Sequence, residues 1–276
     1  MEKISTVKSV IILLLFFSIS ACNGPRIKIF PDQLGLISER GFSISQGNDL
    51  RIDVGGADVS ITSWDRSEVY FRVFGNENAK ERLELIFDSH DSYIEHTTKL
   101  KESPFGSSPS IETKYEVMIP QKFNTDIHTS GGDIILSGVD GISKLHSSGG
   151  DVVCEKIFGT LDISSGGGDI RLVGGNAKIT TSAAGGDIDF DYYGENLGIY
   201  LSSGGGDITL ILPEFFNADI ELSTPGGDIT CTLLMNNINK MITAAYKKEI
   251  VAQLNEGGNK LEAYAGGGDI VISKKN

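Results

Sequence analysis

Three cysteines and four histidines are thin material for chemistry in a chain of 276 residues. No two cysteines form a Cys-x-x-Cys pair, which removes the common zinc-knuckle and thioredoxin-like readings. Neither a His-Glu-x-x-His helix motif nor a glycine-rich phosphate loop ending in Gly-Lys-Ser/Thr occurs, so zincin and P-loop chemistry have no foothold. Serines are frequent, yet none sits in a nucleophile-elbow context. Positive charge is also scarce: 24 Lys and Arg face 37 Asp and Glu, a net of −13. A chain so acidic is repelled by nucleic acid and by anionic lipid head groups, and neither is an expected partner. Past the N-terminal region, no apolar run approaches the roughly 20 residues of a membrane-spanning helix.

What the chain has is glycine, 34 of them, much of it in one recurring phrase. Gly-Gly-Asp followed by Ile or Val ends at Asp133, Asp151, Asp169, Asp187, Asp207, Asp228 and Asp269, with spacings of 18, 18, 18, 20, 21 and 41 residues. A period near 20 marks a repeat architecture. One residue after each Asp stand Ile134, Val152, Ile170, Ile188, Ile208, Ile229 and Ile270; three after stand Leu136, Cys154, Leu172, Phe190, Leu210, Cys231 and Ile272. The residue between is mixed, which is the alternation of a half-buried strand. A second column six residues before each Asp, Ile127, Leu145, Ile163, Thr181, Leu201, Leu222 and Ala263, gives each unit a second strand. The glycines at the corner between them are expected to supply positive φ.

Seven units of two strands are too few for a propeller, and the six-residue apolar step of a left-handed hexapeptide helix fails at Asp140, His146, Asn176 and Ser182. An antiparallel meander stays open as an alternative, since Val139-Asp140-Gly141 could close a hairpin. The preferred reading is all-β, a right-handed parallel β-solenoid, because identical residues recurring in phase stack only in a coil. Cys154 and Cys231 would then share one inward column four rungs apart, on the order of 19 Å at about 4.8 Å per rung, too far for a disulfide.

Residues 1–21 carry Lys3, Lys8 and an apolar run from Val10 to Phe17 ending in small residues, the pattern of a signal peptide. Ile19-Ser20-Ala21-Cys22 resembles a bacterial lipobox, which implies cleavage before Cys22, lipidation of its thiol and acylation of its amine; such multiple acyl chains anchor a protein stably. Losing Lys3, Lys8 and Glu2 with the signal would bring the net charge to −14. Residues 22–40 read as a tether, 41–129 as an irregular β cap with an isolated early copy of the phrase at Asp58, and 130–276 as the solenoid. Within the long last gap, Ile238, Ile242, Tyr246, Ile250 and Leu254 recur every fourth residue, so an amphipathic helix is expected at about 237–254, with Lys240 and Lys247 facing out and Glu249 on the apolar side.

Asp58-Val59-Ser60-Ile61-Thr62-Ser63-Trp64-Asp65, Glu68-Val69, Tyr115-Glu116-Val117-Met118-Ile119-Pro120 and the following Gly-Gly-Asp-Ile units together resemble the bacterial candidate-adhesin family of β-strand repeats, whose function is unassigned. The likeness covers residues 41 to 276. It implies an exported or envelope-associated β-solenoid and supplies no catalytic residue.

The aspartates would form a ladder of like charges, each neighbouring pair repelling by roughly 0.9 kcal/mol in water. Backbone amides of each residue's own glycine corner are the expected compensation, with cations between rungs as the alternative. His128 and His146 should be outward neighbours on adjacent rungs. The functional expectation is a non-enzymatic, exported, membrane-anchored lipoprotein of the cell envelope, held by lipid at Cys22, with no catalytic or metal-binding residue and no cofactor, presenting its surface to an unknown protein or polysaccharide. The alternative is a polysaccharide-binding or polysaccharide-degrading protein on a parallel β-helix.

Overall fold

The computed structural model describes residues 34–101 and 110–275. The signal peptide, Cys22 and most of the tether lie outside the described residues, as does most of the open loop after Leu100.

The columns counted from each Asp become ladders. Ile134, Val152, Ile170, Ile188, Ile208 and Ile270 pair in parallel, each with the next, and no more than 1 % of any of them is exposed. On the other side of the corner Ile127, Leu145, Ile163, Thr181, Leu201 and Ala263 do the same. Like lies over like, so the chain is a nearly all-β, solenoid-like coil and the meander is excluded. Each rung has a leading strand and a trailing strand meeting at the Gly-Gly-Asp corner, and is named here by its Asp. Two strands, Val152–Ser165 and Ile170–Ala183, run unbroken from one rung's trailing side into the next rung's leading side. The first makes that bend at Lys156 and Gly159, whose φ values are 52° and 78°, with the register shifting around Ile157.

The coil does not begin at residue 130. Asp49–Val54 and Asp58–Trp64 form a full Asp58 rung stacked beneath Asn124–Thr129 and Ile134–Ser137. Tyr93–Leu100 and Thr113–Pro120 make a further rung outside it. The region expected to be an irregular cap thus holds two rungs, and the antiparallel cover comes only beyond them. Leu83–Ser89 lies on Tyr93–Leu100, Glu68–Gly75 on Thr113–Pro120, and Gly35–Ser43 on Glu68–Gly75. That last strand starts within the stretch 22–40 expected as a tether. One six-residue helix, Glu77–Arg82, joins two of these strands, capped by Asn76 Oδ1, which accepts the Ala79 N–H at 2.9 Å.

At the other end the order in space departs from the order in sequence. The Asp269 rung, Lys260–Ala265 and Ile270–Lys274, stacks directly on the Asp207 rung, Ile199–Ser203 and Ile208–Leu212. The Asp228 rung, Ala218–Thr224 and Ile229–Cys231, stacks on the far side of Asp269. The long gap between Asp228 and Asp269 is therefore an excursion outward and back.

That excursion is where the expected helix fails. Residues 237–254 lie in two antiparallel strands, Met235–Ala244 and Lys247–Leu254, the second laid antiparallel on Ala218–Thr224. A repeat of four is an even number, so it keeps residues on one face of a strand as well as roughly on one face of a helix. Here Ile250, Ala252 and Leu254 point into the core. Glu249, buried on the other face of that strand, lies between Lys240 and Lys247, its two oxygens 2.6 and 2.8 Å from their ammonium groups. These contacts hold its carboxyl below the usual range, the hydrogen bond from Lys240 contributing most.

Candidate functional site

The corner is the most repeated piece of chemistry in the molecule. Each Asp carboxylate accepts the backbone N–H of the Asp in the next rung. The chain of bonds runs Asp58, Asp133, Asp151, Asp169, Asp187, Asp207, Asp269, Asp228, at 2.7 to 3.0 Å throughout. At its end Lys248 pairs with Asp228. Amides do compensate the ladder as expected, but the donor belongs to the neighbouring rung, so the same bond that neutralises a charge also pins the register. Among the described residues, no cluster of three or more His, Cys, Asp or Glu is arranged to hold a metal ion.

Behind the aspartates runs a second ladder that the sequence columns contained but that was not read from them. Four residues before five of the seven Asp stand Thr129, Ser147, Ser165, Ser203 and Thr224, all buried, with buried Ala183 and Ala265 at the other two places. Ser203 Oγ donates to Gly186 O of the rung below and accepts the Gly206 N–H of its own corner, both at 2.9 Å. Ser147 and Thr224 repeat the arrangement. The glycines earn their place by closeness and not by φ: those of the Gly-Gly-Asp corners are absent from the positive-φ glycines. A Cβ on Gly168 would stand 2.2 Å from Gly150 O, so backbones pass where no side chain fits.

The acceptor role of the ladder is testable at Asp169, whose Oδ1 accepts the Asp187 N–H at 2.9 Å. Asp169→Ala should cost about 1–2 kcal/mol in urea unfolding, by losing a charge-assisted bond to an amide. Asp169→Asn keeps the acceptor and relieves repulsion, and should cost less than about 0.5 kcal/mol. Equal losses in both variants would assign the Asp a role through its charge instead.

Outside the corners the leading face is flat and alternately charged. Glu95, Arg51, Asp126, Lys144 and Asp162 stand directly opposite one another across five successive strands, each opposed pair worth a few tenths of a kcal/mol up to about 1. A shallow groove of about 240 Å³ runs here between Asp49, Arg51, Asn124, Asp126, Ile142 and Lys144. His128 and His146 are neighbours as expected, with ring centroids 5.5 Å apart, and His128 Nε2 lies 3.0 Å from Asp126 Oδ1. Farther along the same face Tyr200 and Tyr264 are 43 % and 44 % exposed. On the trailing face Asp189 stands opposite Arg171. Burial lifts its carboxyl above the ordinary range, with Asp187 adding to the shift and Arg171 opposing it.

Both late cysteines are free thiols. They share a column, but the out-of-order Asp269 rung puts five steps between them and not four, on the order of 24 Å. Burial pushes both thiols above their ordinary range. Cys22, the expected lipidation site, lies outside the described residues.

A coil of stacked two-strand rungs with Gly-Gly-Asp corners defines a β-solenoid repeat protein. The chain belongs to the Toastrack DUF4097 family, whose model matches residues 124–273. Solved structures similar to it include a candidate cell adhesion protein from Clostridium sporogenes, 17% identical, covering 86% of this chain and 99% of that one at a TM-score of 0.36. A candidate adhesin from Bacteroides fragilis is 11% identical over 89% of this chain and 98% of its own, at 0.37. A candidate lipid binding protein from Parabacteroides distasonis is 14% identical over 87% and 96%, at 0.33. No curated protein matches the chain.

Proposed function

We propose that this protein is a non-enzymatic component of a bacterial cell envelope, exported and anchored by lipid on Cys22. Its coil, which we take to be right-handed, presents an extended face for adhesion, scaffolding or partner binding. The observation that carries the reading is the leading face itself. Nine rungs in register give a surface on the order of 38 Å long at about 4.8 Å per step. Its outward side chains are polar or charged along most of that length, with few enclosed places. Such a surface suits a partner that is itself extended, recognised over many weak contacts.

A second reading, binding of an envelope or host polysaccharide, is favoured by Tyr200 and Tyr264. They stand on adjacent strands, two residues out of register, so each ring offers an apolar face and a polar tip to a sugar lying across the rungs. The lipid anchor is tested by fractionating cells that express the wild-type chain or Cys22→Ser. The wild type should sediment with membranes, and the variant should move to the soluble fraction. A variant that stays in the membrane fraction would overturn anchoring at that thiol. Pull-down from intact envelopes with each form then identifies the partner, and glycans released in place of a protein would select the second reading.

A further inference from the structure

We propose that the Asp269 rung is an exchangeable element, so that two copies of this chain can pair by each seating its rung in the other. The rung sits in a slot between the Asp207 and Asp228 rungs, making ladders to both on the leading and trailing faces. Among the described residues, the Asp228 rung and the hairpin beyond it pair only with the Asp269 rung and with each other. Releasing this one rung breaks its own four ladders, and a rung from a second copy restores all four. The segment leading into it is a turn built for a change of direction: φ is 51° at Asn255, 76° at Gly257 and 147° at Gly258. Glycine at such positions extends as readily as it folds back.

The walls of the slot are the same in every copy. Leu201 and Leu222 flank Ala263, Leu210 and Cys231 flank Ile272, and the Asp ladder passes from Asp207 through Asp269 to Asp228. Asn196 and Asn259 clasp each other's carbonyls at 2.6 and 2.7 Å. A rung arriving from a second copy makes each of these bonds, and only the folded-back turn at 255–259 is given up. Exchange is then a contest between that turn and the association of two chains. A chain's own rung has an effective concentration on the order of millimolar, so pairing should emerge when chains fold together at high concentration.

The pair Ser202 and Tyr264 reports the seat, being opposite residues on the two adjoining strands and at a separation a disulfide can bridge. All chains in the test carry Cys22→Ser. A chain with both Ser202→Cys and Tyr264→Cys should close an internal disulfide under mild oxidation. A chain with Ser202→Cys and another with Tyr264→Cys, unfolded and refolded together, should give a covalent heterodimer. The yield should be at least several-fold above that from mixing the two chains already folded, from either chain alone, or from chains with neither substitution. Deleting Gly257 and Gly258 should raise the yield further by shortening the turn back. The proposal is overturned if the double variant closes internally while the co-refolded mixture gives no excess heterodimer. It is equally overturned if the double variant does not close, since the rung is then not seated beside Ile199–Ser203.

Discussion

Removal of residues 259–276 is expected to cost the chain the order of residues 218–254 as well as that of the deleted rung. In a coil whose rungs followed sequence order, the loss of the last one would expose one new end and little else. Here Ala218–Thr224 has the deleted strand and Lys247–Leu254 as its ladder partners, and Ile229–Cys231 has Ile270–Lys274. Among the described residues, nothing else ties this outer unit to the Asp207 rung by ladder bonds. The deletion also removes Leu261, Ile270 and Ile272, all fully buried, each contributing roughly 1.5–3 kcal/mol. A loss on the order of 5–9 kcal/mol is comparable to the whole stability of many domains. Hydrogen exchange read by mass spectrometry separates the outcomes. Peptides from 218–231 and 247–254 should lose protection while those from 152–192 keep it. If 218–231 stays as protected as in the intact chain, the Asp228 rung has closed down onto the Asp207 rung, and the out-of-order seat is not what holds the outer unit.

The sequence could not have revealed that seat, for a physical reason. Stacking depends on phase within a rung, and the phrases ending at Asp228 and Asp269 have the same phase, so either could follow Asp207. The inward columns were legible because they are fixed by alternation and counted from a repeated corner; Ile134 through Ile208 paired as their spacing demanded. The corner ladder was legible in its kind, carboxylate to amide, but the identity of the donor was not, because one rung's amide reaches the next rung's carboxylate only once the 4.8 Å stack exists. The hairpin at 235–254 was misread because a spacing of four suits both periods. Its β-branched residues Ile242, Thr243, Ile250 and Val251 carried a strand preference that the spacing masked. The hydroxyls at Ser147, Ser165 and Ser203 stood in a countable column, and a buried column of small polar residues beside glycine corners signals hydrogen bonds across rungs.

A second large effect is expected at His96, which alternation alone would have turned inward beside Ile94. The side chain is fully buried. Its ring stacks on Phe87 with centroids 4.2 Å apart and lies 5.6 Å from Phe71 and 5.1 Å from Tyr115. Nδ1 is 2.9 Å from Ile86 O and so carries the proton of the neutral ring, while Nε2 has no hydrogen-bond partner among the described residues. The titratable group facing the ring from the packed strands is the Tyr115 hydroxyl, itself raised by burial. Desolvation pushes its pKa down from 6.5 to about 4, against the hydrogen bond to Ile86 O. The sign follows from that depression. Above about pH 6.5 both folded and unfolded chains hold His96 neutral and its full contribution is present. As pH falls from 6.5 toward 4 the unfolded chain takes up a proton that the folded chain refuses, and stability drops by about 1.4 kcal/mol per pH unit, roughly 3 kcal/mol in all. His96→Phe removes the titration and keeps the ring in its aromatic setting. Urea unfolding followed by the fluorescence of Trp64, the chain's single tryptophan, reports on the adjacent rung. The wild type should lose stability between pH 6.5 and 4.5 faster than the variant by about that slope, whatever the variant costs at pH 7. Parallel pH profiles for the two chains would mean that His96 is not held neutral in the folded state.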